Sequence, residues 1–211
     1  ILFCDNRLGG LLGFRVDVIH HLVEQGHEVV LVAPFPETEW DRIGKIGVEG
    51  TRVEFIPMQP SGFNPFADLA LLGNYRRLFR KERPDIIFTY TIKPNIYAGI
   101  AASWLHIRTI SMIAGLGYAF EGNGFFKSCI RTLYRYGLRK AENVLTLNHS
   151  NYDCVLSYTW HNRIASCVYP EERGLIWMSI LQRKRILSSP RPSWLFLVYC
   201  MIRVIKSSSR I

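Results

Sequence analysis

The sequence predicts an α/β fold built on a parallel β-sheet with helices on both faces. Three observations carry this. Short β-branched runs alternate with helix-spaced segments over the first 150 residues. Glycine, proline or asparagine punctuates most of the junctions between them. Hydrophobic residues make up 48% of the 211-residue chain, enough to bury both faces of such a sheet.

The elements follow in order. Residues 1–4 (Ile-Leu-Phe-Cys) form a first strand, so the numbering is read as starting inside the fold. Residues 15–25 carry Val16, Ile19, Leu22 and Val23 at helical spacing, and Gly26 supplies the stop. The β-branched run 27–32 is a second strand, closed by Ala33-Pro34. A weaker helix is expected at 38–45 and a third strand at 52–56. Asn64 caps a helix running to about Lys81, with Pro65 at its first position. Residues 84–90 are a fourth strand, and Pro94 starts a helix to about Leu105. A fifth strand at 109–113, a helix at 125–141 and a sixth strand at 143–147 complete the pattern. Right-handed crossovers make this a doubly wound, Rossmann-like sheet, which binds ligands at the carboxyl ends of its strands.

After about residue 169 the pattern breaks. Residues 1–170 hold 18 Lys/Arg against 15 Asp/Glu, whereas residues 171–211 hold 8 against 2. The net charge of +9 therefore sits mostly in the tail, which removes the argument for nucleic-acid binding by the body. The chain reads as a domain over 1–168 and an irregular tail over 169–211. The tail also reads as translated out of frame. Joining the third base of each codon to the first two of the next forces Asp from Trp177–Met178, Leu from Tyr199–Cys200 and Asp from Met201–Ile202. These fit Gly-Thr-Gly-Val-Asp-Met-Asp-Glu-Tyr-Phe across 171–181 and Arg-Leu-Leu-Tyr-Asp-Lys-Gly across 197–204, both allowed in that one frame and in that order.

No apolar run approaches the roughly 20 residues that span a bilayer, and no secretion signal is seen. The five cysteines have neither metal spacing nor a disulfide pattern and read as neutral thiols in a reducing cytosol.

Three strand-end loops carry candidate chemistry. The first, Asp5 to Gly13, holds Gly9, Gly10 and Gly13. It reads either as a tight turn or as backbone that approaches a phosphate. The dinucleotide fingerprint fails, because Leu8 stands at its first glycine and no acid ends the second strand. The second, Thr91-Ile92-Lys93-Pro94-Asn95, places Lys93 where it meets an anionic or polyhydroxylated ligand, or else solvent. The third, 114–124, interleaves four glycines with Tyr118 and Phe120. Its single carboxylate, Glu121, orients a hydroxyl, acts as a base, or is simply solvated. The helix after it carries Lys127, Arg131, Arg135 and Arg139 at steps of four, either a stripe for anionic lipid or an ordinary wet face. No hydrolase triad, zinc motif or Walker loop is present, and no metal site is read.

Taken in order, Gly26-His27-Glu28-Val29, Pro84-Asp85-Ile86-Ile87, Thr91-Ile92-Lys93-Pro94-Asn95, Gly115-Leu116-Gly117-Tyr118-Ala119-Phe120 and Leu147-Asn148 resemble the N-terminal domain of family 4 GT-B glycosyltransferases. The likeness is to the bacterial branch that builds capsular and other lipid-linked glycans, and it spans about residues 1–155. It implies a retaining hexosyl- or N-acetylhexosaminyl-transferase. The donor would be a nucleotide sugar, often UDP-linked, with no further cofactor. The acceptor would be a glycan or a polyprenyl-linked sugar. The setting would be the cytoplasm, in peripheral contact with the inner membrane. Gly9 and Gly10 carry over as the donor-phosphate glycines. Lys93, Asn95, Gly115, Gly117, Tyr118, Glu121 and Asn148 line the acceptor cleft. No catalytic residue is assigned, because Ala114 stands where many relatives place a histidine. The family's donor-holding Arg, Lys and Glu residues belong to its C-terminal domain and have no counterpart in 171–211. The chain alone is therefore expected to be inactive. The competing reading is a non-catalytic acceptor- or membrane-binding module. A nucleotide-dependent oxidoreductase or epimerase is disfavoured by the absent fingerprint.

Overall fold

The computed structural model describes residues 1–35, 49–59, 62, 64–116, 124–146, 149–158 and 164–166. The helix expected at 38–45 and the tail 169–211 lie outside the described residues.

Seven strands form one all-parallel sheet: β1 (Leu2–Cys4), β2 (Val29–Ala33), β3 (Thr51–Phe55), β4 (Ile86–Tyr90), β5 (Arg108–Ile113), β6 (Asn143–Thr146) and β7 (Ile164–Ser166). Their spatial order is β3-β2-β1-β4-β5-β6-β7. The register sets Phe3 beside Leu31 on one side and Phe88 on the other. The fold class is as the sequence predicts, and β7 is a strand that the pattern did not show. The chain winds outward from β1 in one direction and from β4 in the other. The switch point, where such sheets take their ligands, therefore lies between β1 and β4.

Every residue of β1, β2 and β4 is buried, which is why their sequences are continuous apolar runs rather than alternating ones. Edge strand β3 instead exposes Arg52, Val53 and Phe55. One face of the sheet is covered by α3 (Pro65–Glu82), α4 (Gly99–Leu105) and α5 (Phe125–Leu138), with α6 (His149–Tyr158) beyond. The other packs Phe3, Leu31 and Phe88 against α1 (Leu8–Phe14) and α2 (Val16–Glu24). As expected, Asn64 Oδ1 accepts the Ala67 N–H at 3.3 Å to cap α3, and Pro65 occupies the first turn. Gly26 ends the turn after α2 at φ +82°, a conformation that costs glycine no Cβ clash.

Two local expectations are corrected. The glycine-rich segment after β1 is not a loop: Leu8–Phe14 is helical. Leu8, Leu11 and Leu12 recur at helical spacing and are buried, and that burial outweighs the roughly 1 kcal/mol each helical glycine costs against alanine. The helix expected from Pro94 opens as a π-helical turn, Pro94–Ala98, and becomes regular only at Gly99. Such turns concentrate at functional sites.

Candidate functional site at the sheet switch point

The carboxyl ends of β1, β4 and β5 meet at one edge. Between them lies a cavity of about 320 Å³, lined by Asn6, Thr91, Ile92, Lys93, Asn95, Ile113, Ala114, Gly115 and Tyr134. That volume falls at the small end of ligand pockets.

Its floor is a buried polar network. The Thr89 hydroxyl donates to Asn95 Oδ1 at 2.7 Å and lies 2.8 Å from Ser111 Oγ. Asn95 Nδ2 donates to the Met112 carbonyl at 2.9 Å and to Tyr134 Oη at 3.2 Å. Thr89, Asn95 and Ser111 are fully buried. Burial pushes the Tyr134 phenol up to about 12, with the Asn95 bond pulling weakly the other way. Asn95 thus pins β4, β5 and α5 together. Asn95 lines the cavity as expected of a cleft residue, with both kinds of polar atom on its amide also bonded within the protein.

Lys93 also lines the cavity but is not solvated: Nζ donates to Asp68 Oδ1 at 2.7 Å, and the two side chains are 9% and 4% exposed. Asp68 also accepts the Asn64 backbone N–H at 3.3 Å, so the ion pair ties the start of α3 to the turn after β4.

Behind the cavity mouth stands Asp5, 3% exposed, at the end of β1. Desolvation raises its carboxyl above the usual range. The Arg15 charge, hydrogen bonds from the Asn6 and Arg7 backbones, and the Thr91 hydroxyl act in the opposite sense. Arg15 lies with its guanidinium 4.4 Å from the centre of the Tyr90 ring. Gly10 packs closely on this carboxyl: a Cβ there would lie 3.2 Å from Asp5 Oδ2. Thr91, whose hydroxyl also reaches the Tyr90 carbonyl, holds φ +64°. For a β-branched residue that conformation costs about 1–3 kcal/mol, strain that structures tend to keep at functional positions.

Asp5, Asn6, Arg15, Asp68, Thr91 and Tyr134 were not singled out from sequence. Asp5 alone left a signal, a carboxylate closing a buried strand. Of the expected cleft residues, Lys93, Asn95 and Gly115 come together at the cavity. Gly117, Tyr118, Glu121 and Asn148 lie outside the described residues. Asn151 of α6 braces the wall by donating to the Ala114 carbonyl at 3.3 Å. On α5, Arg135 and Arg139 are exposed while Lys127 and Arg131 are half-buried. Among the described residues no group of three or more His, Cys, Asp or Glu side chains is placed to hold a metal ion. No helix of the described residues is long and apolar enough to cross a membrane.

The raised Asp5 carboxyl gives a signed prediction. Between the unfolded value of about 3.9 and the raised native value, the native state keeps a proton that the unfolded chain has lost. Stability therefore falls as pH rises through that window. Asp5→Asn removes this slope, so the variant should gain on the wild type from pH 4 towards neutrality. Urea unfolding of both proteins across that range checks it, and parallel profiles would refute it.

The fold is a Rossmann-like parallel sheet with a cavity at its switch point. Residues 9–156 match the glycosyl transferase 4-like domain, and the chain belongs to that family. No curated protein matches it. Among solved structures it is similar to a glycosyltransferase from Rickettsia africae, with 14% identity and TM-score 0.56 over 89% of this chain and 50% of that one. It is also similar to Anabaena HepE in complex with UDP and glucose, at 12% identity and TM-score 0.55 over 88% and 50%. A UDP-N-acetylglucosamine 2-epimerase from Rickettsia bellii gives 13% and 0.57 over 90% and 48%. The chain thus spans about half the length of these structures.

Proposed function

We propose that this chain is the acceptor-side lobe of a retaining glycosyltransferase that moves a hexosyl or N-acetylhexosaminyl group from a nucleotide sugar to a lipid-linked or glycan acceptor. The observation that carries it is the cavity at the sheet switch point, built from the Thr91–Asn95 and Ile113–Gly115 segments of a glycosyl transferase 4-like domain. The fold alone does not choose between transferase and epimerase, since structures of both share it. The family match favours the transferase. The UDP and glucose bound to HepE support a UDP-linked donor. Its diphosphate would approach the start of α1 at Gly9 and Gly10, across a cleft from the acceptor. Transfer itself is assigned to the two-lobed whole rather than to this half, because holding both substrates in line supplies much of the rate.

Gly115 offers the test. A Cβ there meets nothing within 4 Å, so a side chain grows into open space beside the cavity without straining the backbone. Saturation-transfer NMR with simple methyl glycosides should show contact with the wild-type chain. Gly115→Phe should abolish the signal while its melting temperature stays unchanged. Equal signals from both proteins would contradict the reading.

Peripheral membrane contact belongs to the same proposal. Helices α3, α4 and α5 lie side by side and show no exposed carboxylate: Asp68 is buried, and the Glu82 side chain is 6% exposed and paired with Arg52. Their outer surface shows Phe66, Leu69, Trp104, Phe125 and Tyr136, with Arg76, Arg77 and Arg135 exposed among them and Arg139 at the end of α5. Aromatic and cationic groups together suit an anionic lipid surface. Each cation near such a surface is worth about 1 kcal/mol, so each one removed should weaken partitioning about fivefold. Co-sedimentation with phosphatidylglycerol-rich liposomes should fall when Arg76, Arg77, Arg135 and Arg139 become Gln. Unchanged sedimentation would count against the contact.

A further inference from the structure

The switch point holds a single hydroxyl between two acceptors. Thr91 Oγ1 reaches the Tyr90 carbonyl on one side and the Asp5 carboxyl on the other. A threonine hydroxyl carries one proton, so it donates to only one of them at a time. Asp5 is held in place. Its Oδ1 accepts the Asn6 backbone N–H at 2.6 Å, the Arg7 backbone N–H also donates to it, and a Cβ on Gly10 would already stand 3.2 Å from Oδ2. At 3% exposed, Asp5 cannot turn to water instead. The other titratable or charged groups facing it, among the described residues, are Arg15 at the start of α2, Cys4 on β1, Tyr75 from α3 and Tyr90 from β4. Burial pushes the Cys4 thiol and both phenols up, so they stay neutral, and a guanidinium keeps its charge. Between acid and neutral pH, Asp5 is therefore the member of this cluster that changes charge.

The two forms of Asp5 treat that hydroxyl differently. As the neutral acid, Asp5 donates its own proton to Thr91 Oγ1, and the Thr91 hydroxyl donates onward to the Tyr90 carbonyl. Every oxygen in the relay is then matched. As the carboxylate, Asp5 has no proton to give and takes the Thr91 hydrogen bond instead. Thr91 Oγ1 then faces the Tyr90 carbonyl oxygen with no hydrogen between them. Two acceptors in contact repel, so the side chain turns away from the carbonyl. The backbone of the same residue sits at φ +64°, which a β-branched residue keeps only when its surroundings hold it there. Ile92 and Lys93, the next two residues, line the cavity with it. We infer that Asp5 and Thr91 form a proton-operated latch on the cavity wall: the neutral acid closes the relay from Asp5 through Thr91 to Tyr90 and fixes the left-handed turn, and loss of the Asp5 proton to solvent opens it. The latch does not depend on what the cavity receives.

The test is an NMR titration of the 211-residue chain from about pH 4 to neutrality. The Asp5 carboxyl carbon reports its ionisation, and the three-bond couplings to Thr91 Cγ2 report the χ1 rotamer. Those couplings should pass from one staggered rotamer to another with the same midpoint as the Asp5 carboxyl. A nearby charge by itself shifts resonances but does not turn χ1. Asp5→Asn should hold Thr91 in its acidic rotamer across the whole range, because the amide N–H donates to Oγ1 as the neutral acid does. Wild-type couplings that stay constant through the Asp5 midpoint would overturn the inference, and they decide it even if the variant fails to fold. An Asp5→Asn variant whose Thr91 couplings follow pH as the wild type's do would overturn it equally.

Discussion

Replacing Lys93 with methionine is expected to destabilise the domain by about 3–5 kcal/mol, because it leaves the Asp68 carboxylate buried without its counter-charge. The loss would not be one of packing, since methionine reproduces most of the lysine stem. Pairing the change with Asp68→Asn should restore most of the stability. The amide keeps an acceptor for the Asn64 N–H, and no charge then remains to be desolvated. Chemical denaturation of the wild type, the single variant and the double variant measures the coupling. A single variant that loses less than about 1 kcal/mol would mean that water reaches Asp68, against the burial seen here.

Gly137→Ala should cost about 1–3 kcal/mol, although an alanine inside a helix ordinarily gains about 1 kcal/mol over glycine. The sign reverses because α5 crosses the π-helical turn backbone to backbone. A Cβ on Gly137 would stand 2.5 Å from the Asn95 carbonyl and 2.7 Å from Ile96 Cα. Gly99 faces the Gly137 carbonyl in the same crossing. Backbone cannot step aside as a side chain can, so relief would require separating α5 from the turn that carries Asn95. Urea unfolding decides the sign: a stabilised Gly137→Ala variant would contradict the close crossing.

What could be read in advance follows from where the deciding forces lie. The strands at Val29–Ala33 and Ile86–Tyr90 were legible because full burial on both faces demands unbroken apolar residues. The start of α3 was legible because Asn64 and Pro65 act locally, within one turn. Helix α1 was misread because its glycines are a local signal, whereas the burial of Leu8, Leu11 and Leu12 that overrides them is tertiary. At the site, the Thr91–Asn95 segment lines the cavity, but what its side chains bond within the protein was not legible. The fate of Lys93 is set by Asp68, 25 residues earlier, and that of Asn95 by Tyr134, 39 residues later. Neither partner can be assigned from spacing along one chain. The left-handed Thr91 has no sequence signature, since threonine ordinarily avoids that conformation.

In the proposed function the acceptor sugar sits at the switch point, between the segments following β4 and β5. Photo-cross-linking with a diazirine-bearing neutral glycoside, followed by peptide mapping, tests it most directly. Label should appear on the peptides holding Thr91 to Asn95 and Ile113 to Leu116, and an excess of unmodified glycoside should suppress it. Label confined to the amino-terminal edge of the sheet, around Glu28, Arg52 and Glu82, would contradict it.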